Sequence, residues 1–139
     1  MRTIRKRVVA VLVVVICFAA SPVFSETMEG KMTAMLAGAG SHQAAGTLAI
    51  TKDRNGRSIL TMIDITVDRV PDGRVYLAKD GDYAKGVELG RLTQFSGTVE
   101  YSIPAGIDAQ HYNSVVIWCK RFSVEIGRGT FVDAIHTGM

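Results

Sequence analysis

What most constrains this chain is its punctuation. From residue 32 onward the apolar residues fall in short alternating runs, and Gly, Asn, Asp or Pro interrupts each run before it grows long. A period of two builds a strand with one buried face, and runs this short leave little room for an amphipathic helix. Met32 to Leu36, Thr47 to Lys52, Ser58 to Val67, Val75 to Ala78, Val87 to Thr93 and Gly97 to Ile103 read as strands. Asp53-Arg54-Asn55-Gly56 is a turn signal, because Asn-Gly accepts the positive φ of a tight hairpin. In the return strand, alternation places Ile59, Ile63, Ile65 and Val67 on one face. Lys79 to Gly86 reads as a polar loop, and Ile107 to Asn113 has room for one helical turn. Ser114 to Cys119 is apolar on both faces, as in a central strand covered on both sides. Phe122, Val124 and Ile126 then alternate with polar residues as a half-exposed strand. The expected fold class is all-β: a single antiparallel β-sandwich or flattened barrel of about eight short strands.

The first 31 residues follow other rules. Arg2, Arg5, Lys6 and Arg7 precede the apolar run Val8 to Ala20, and Ser21-Pro22 breaks it. Val23 and Ser25 fit the −3 and −1 positions of a signal-peptidase site, so residues 1–25 read as a signal peptide cleaved before Glu26. The apolar run has 13 residues, whereas a spanning helix needs roughly 20. The expectation is a periplasmic or secreted protein with no stable membrane span after cleavage. Residues 26–31 form a short polar lead-in, and 32–139 form the β domain. The leader holds four of the 16 Lys and Arg and none of the 13 Asp and Glu. Its removal leaves 12 basic against 13 acidic side chains, so the basic balance belongs to the leader. A nucleic-acid partner thereby loses its electrostatic support.

Export also removes Cys17 and leaves Cys119 as the single thiol. An unpaired thiol in an oxidising compartment is either a reactive group or a small buried apolar residue. Other chemistry lacks its pattern. Cys119, His111 and Asp108 show no arrangement of base and oxyanion donors that would make a thiol hydrolase. An EF-hand loop starting at Asp80 fails at Ala84, Lys85 and Arg91. His42, His111 and His136 have no metal-ligand spacing, and no metal site is expected. The expectation is an accessory domain rather than a stand-alone enzyme.

Five segments in order resemble one family. Asn113 to Gly127 contains an apolar strand ending in Trp118-Cys119, then Lys120-Arg121, then Phe122-Ser123-Val124-Glu125-Ile126-Gly127. Upstream stand Ala45-Gly46-Thr47-Leu48-Ala49-Ile50, Val75-Tyr76-Leu77, Glu88-Leu89-Gly90-Arg91-Leu92, and Gly97 to Pro104 with Tyr101, Ile103 and Pro104. Together, from about Met32 to about Phe131, they resemble the DM-thirteen domain family, an electron-transfer domain found beside DOMON domains in Skeletor-type proteins. Ile126 replaces the family's usual Phe, and Arg128-Gly129 stands where small residues, often Ser-Ala, are expected. The resemblance implies a redox role for Cys119, as a free thiol or as a ligand to a prosthetic group such as haem. Trp118, Phe122 and Tyr101 are the residues expected to wall that sulfur. No Cys-x-x-Cys-His motif is present, which excludes covalent c-type haem. A redox or protein partner is implied and left unnamed. The alternative is a non-enzymatic exported binding or structural module in which Cys119 packs inertly in the core.

Overall fold

The computed structural model describes residues 32–132. The leader, the lead-in and His136 lie outside the described residues. Eight strands form one antiparallel sheet: β1 (Met32–Gly38), β2 (Ala44–Lys52), β3 (Ser58–Val67), β4 (Gly73–Lys79), β5 (Asp82–Arg91), β6 (Ser96–Ser102), β7 (Ser114–Cys119) and β8 (Val124–Thr130). Their spatial order is β5-β4-β7-β8-β1-β2-β3-β6. The sheet curls into a half-barrel. Its concave side holds a core that includes Leu48, Leu60, Met62, Leu77, Val115, Ile117 and Ile126. The all-β, eight-stranded expectation holds, and the expected helical turn is a 3-10 turn at Ala109–His111.

The β2–β3 hairpin forms where Asn-Gly predicts it. The Asp53 carboxylate accepts the N–H groups of Asn55 and Arg57 at 2.8 and 2.9 Å, and Gly56 supplies φ +76°. The strand after it does not keep a single phase. Leu60 and Met62 are buried, then Ile65 and Val67, whereas Ile59 and Ile63 are only half-buried. The register against β6 shifts between Met62 and Ile65, where Asp64 takes φ 48°. A bulge of this kind adds a residue and switches which set of side chains points inward. The expected face of Ile59, Ile63, Ile65 and Val67 is therefore corrected to Leu60, Met62, Ile65 and Val67.

The predicted polar loop between Lys79 and Gly86 is mostly strand. Lys79 pairs with Asp82, so the connection is Asp80-Gly81, and both residues take positive φ (51° and 71°). Two positive-φ residues match the right-handed twist of a two-residue hairpin. The turn is stitched to β7. The Asp80 N–H donates to Asn113 Oδ1 at 2.7 Å, and Asn113 Nδ2 donates to Asp80 Oδ1 at 2.8 Å. The Gly81 N–H donates to Ser114 Oγ at 2.9 Å, and Ser114 Oγ donates to the Ala78 carbonyl at 3.0 Å. These bonds satisfy a serine with no solvent exposure. Val116 and Ala78 are also sealed although neither belongs to the core cluster, so β7 is covered on both sides as its composition requires.

Candidate functional site

Cys119 is the last residue of β7, paired with Gly73 of β4 on one side and Val124 of β8 on the other. Its relative exposure is 0 %, and it belongs to the hydrophobic core. Gly73 has no side chain to set opposite the sulfur. A Cβ there would lie 3.1 Å from Val70 and 3.3 Å from Leu92, so these two residues occupy that space and cap this end of the core. The backbone binds the cap in place: the Leu92 N–H donates to the Gly73 carbonyl at 2.8 Å, and the Lys120 N–H to the Asp72 carbonyl at 2.9 Å. A shallow cleft of about 370 Å³, lined by Val70, Pro71, Arg91, Leu92, Thr93 and Phe95, shares Val70 and Leu92 with this cap.

The three residues expected to wall the sulfur are dispersed. Tyr101 is buried in the same core, and its hydroxyl donates to the Arg91 carbonyl at 3.1 Å. Burial pushes the Tyr101 phenol up from its ordinary pKa. Phe122 is 65 % exposed in the turn after β7. Trp118, one residue before Cys119, points to the opposite face of the strand. The turn also turns its cations outward: Lys120 and Arg121 are exposed, and the Arg121 guanidinium sits 5.9 Å from the centre of the Phe122 ring. Lys120 lends its charge to Asp72, where it adds to the lowering of that carboxyl.

On the outer face lies a cluster that alternation alone does not reveal, because its members come from three strands. Tyr83 of β5 reaches across β4 and stacks on Trp118 of β7, with ring centres 3.9 Å apart. Tyr76 of β4 meets Tyr83 edge-on at 5.4 Å, and its hydroxyl donates to Glu88 Oε1 at 3.0 Å. Arg74 donates from Nε to Asp72 Oδ1 at 2.7 Å and from Nη1 to Glu88 Oε2 at 3.4 Å. The guanidinium holds the Asp72 carboxyl below its usual range. Burial raises the Tyr76 phenol, and the carboxylate of Glu88 raises it further. The only sequence clue was the Asp-Gly turn, which fixes the register that carries Tyr83 over β4.

Haem can be tested against this geometry. A thiolate ligand must face a cavity that admits the macrocycle. Cys119 is sealed, and neither the 370 Å³ cleft nor a second one of about 440 Å³ beside Met32, Ile50 and Ile107 is lined by it. The residues around this sulfur do not fit haem in the described conformation. His42 lies 3.7 Å from Asp68 and His111 3.6 Å from Asp108, each a local pair. Among the described residues, no three His, Cys, Asp or Glu side chains gather as a metal site would require.

No curated protein and no solved structure gives a significant match to the chain. A family model does match: electron transfer DM13, over residues 37–131, from the end of β1 to the residue after β8. That span takes in the bulged β3, the Asp-Gly hairpin and the whole of the β7 strand that ends in Cys119. With β2 to β8 and the motif segments all inside one continuous match, the chain belongs to the electron transfer DM13 family.

Proposed function

We propose that this chain is an exported electron-transfer module in which Cys119 is the redox-responsive atom, closed off until its cap opens. The observation that carries the reading is the family match across the Trp118-Cys119 strand, together with the position of the sulfur at the rim. A thiol reacts as thiolate and must be reached. Here the barrier to reach is the Val70 and Leu92 cap beneath a shallow cleft, a far smaller unit than the whole core. Local opening of loop-borne cover costs less than global unfolding. Export is supported by the leader's basic, apolar and small-residue pattern.

The zero exposure of Cys119 favours a second reading, a binding or structural module with an inert core cysteine. Thiol labelling of the folded protein separates the two. Opening free energy from labelling rates is compared with unfolding free energy from urea denaturation. A gated thiol gives the smaller value for labelling, and the Leu92→Ala variant labels faster by more than its loss of stability accounts for. Equal values in both variants would establish the inert cysteine. Intact mass of protein from its native compartment tests cleavage before Glu26.

A further inference from the structure

The outer-face cluster is not used by the Cys119 reading. Three aromatic rings follow one another from Trp118 through Tyr83 to Tyr76, at 3.9 and 5.4 Å, and all three residues are half-buried. Cross-strand aromatic pairs stabilise many sheets without doing anything else. What distinguishes this set is the carboxylate on the last phenol. A phenol that loses one electron becomes a much stronger acid, so a base already hydrogen-bonded to its O–H makes the loss easier. Glu88 Oε1 is in that position at 3.0 Å, and Arg74 and Asp72 hold the carboxylate in place.

We propose that Trp118, Tyr83 and Tyr76 form a redox relay, with Tyr76 as its proton-coupled end and Glu88 as the base. The proposal rests on the electron-transfer reading of the chain but not on access to Cys119. A strongly oxidising one-electron acceptor at the outer face takes one electron from Trp118 and leaves its radical cation, one peptide bond from Cys119. An electron from Tyr76, passed through Tyr83, then refills Trp118, and as it leaves, the Tyr76 O–H bond breaks and its proton passes to Glu88 Oε1. A neutral tyrosyl radical, a neutral carboxylic acid and an acceptor reduced by one electron remain. Arg74 is a positioning residue that acts through Glu88. Burial and the neighbouring carboxylate keep the phenol protonated until the electron leaves.

The test is flash oxidation of the purified protein with photogenerated ruthenium(III) tris-bipyridine, read by transient absorption and electron paramagnetic resonance. The wild type should give a tyrosyl radical whose formation slows in deuterated water. Tyr76→Phe should remove that isotope-sensitive phase, although Tyr83, Tyr101 and Tyr112 remain. Glu88→Gln should slow it about a hundredfold, the low side of what a positioned base contributes, and Glu88→Asp should recover part of the rate. Circular dichroism establishes that each variant is folded. The relay is overturned if Glu88→Gln matches the wild type in rate and isotope effect, or if Tyr76→Phe keeps the phase. Persistence of the phase in Cys119→Ala supports the relay whatever labelling says of the thiol. Loss of the phase there overturns the relay's independence from the sulfur.

Discussion

At Cys119 the side chain's chemistry and its surroundings pull apart. A sulfur with no solvent exposure is held in the hydrophobic core, and Val70 and Leu92 fill the space beside its strand neighbour Gly73. Cys119→Ser therefore brings a hydroxyl into a site that offers it no obvious partner, and we expect a loss of about 1–3 kcal/mol in urea denaturation. Cys119→Ala removes only the sulfur and should cost less. Asp72 sets a second expectation. Its carboxyl lies below the ordinary 3.8 because Arg74 donates to it, so the native state binds this proton less readily than the unfolded chain. The resulting stability is present above that ordinary value and is lost as pH falls through the lower folded value. Asp72→Asn should therefore flatten the acid side of the stability profile and leave its neutral-to-alkaline side unchanged in shape. The placement of these residues was only partly readable from sequence. Strand alternation puts Trp118 on the face opposite Cys119, against the expectation that it walls the sulfur, and the exposure of Phe122 follows from the Lys120–Ser123 turn, where Ser123 takes φ 50°.

Single strands repeat the lesson. Ser58–Val67 and Ser114–Cys119 match their sequence runs end for end, because each is bounded by polar turn residues. The inward face of β3 was hidden by Asp64, since a bulge adds a residue without any apolar signal. Asp64 tolerates its φ of 48° better than a branched residue would. Asp64→Val should cost about 1–2 kcal/mol, whereas Asp64→Gly should be close to neutral by thermal denaturation. The β4–β5 hairpin was hidden for another reason: Asp82 to Gly86 looks like a loop by composition, and only the Asp-Gly pair betrays the turn. Close strand approach is set by β8. A Cβ on Gly129 would lie 2.5 Å from Leu48 Cδ1 and 2.8 Å from the Met35 carbonyl oxygen. Gly129→Val should thus lower stability by about 1–3 kcal/mol or more through overpacking, measured by the urea midpoint.

Across the whole molecule, the sheet order joins strands that are far apart in sequence. β8 sits between β7 and β1, and it alone links the β5-β4-β7 half to the β1-β2-β3-β6 half in the hydrogen-bonded order. A chain ending at Ser123 should lose cooperative unfolding altogether, observable as the disappearance of a single sharp thermal transition. No periodicity reveals such an arrangement, because strand order depends on which edges meet and not on the pattern within any strand. The antiparallel β1–β8 pairing, Ala37 with Arg128 and Gly38 with Gly127, has one more consequence. Met32 and Thr130 lie at the same end of the half-barrel, so the domain has a single doorway. A polypeptide carrying it as an insertion can enter and leave through that doorway, and tension on the two flanks would peel apart this short ladder first, like a zipper.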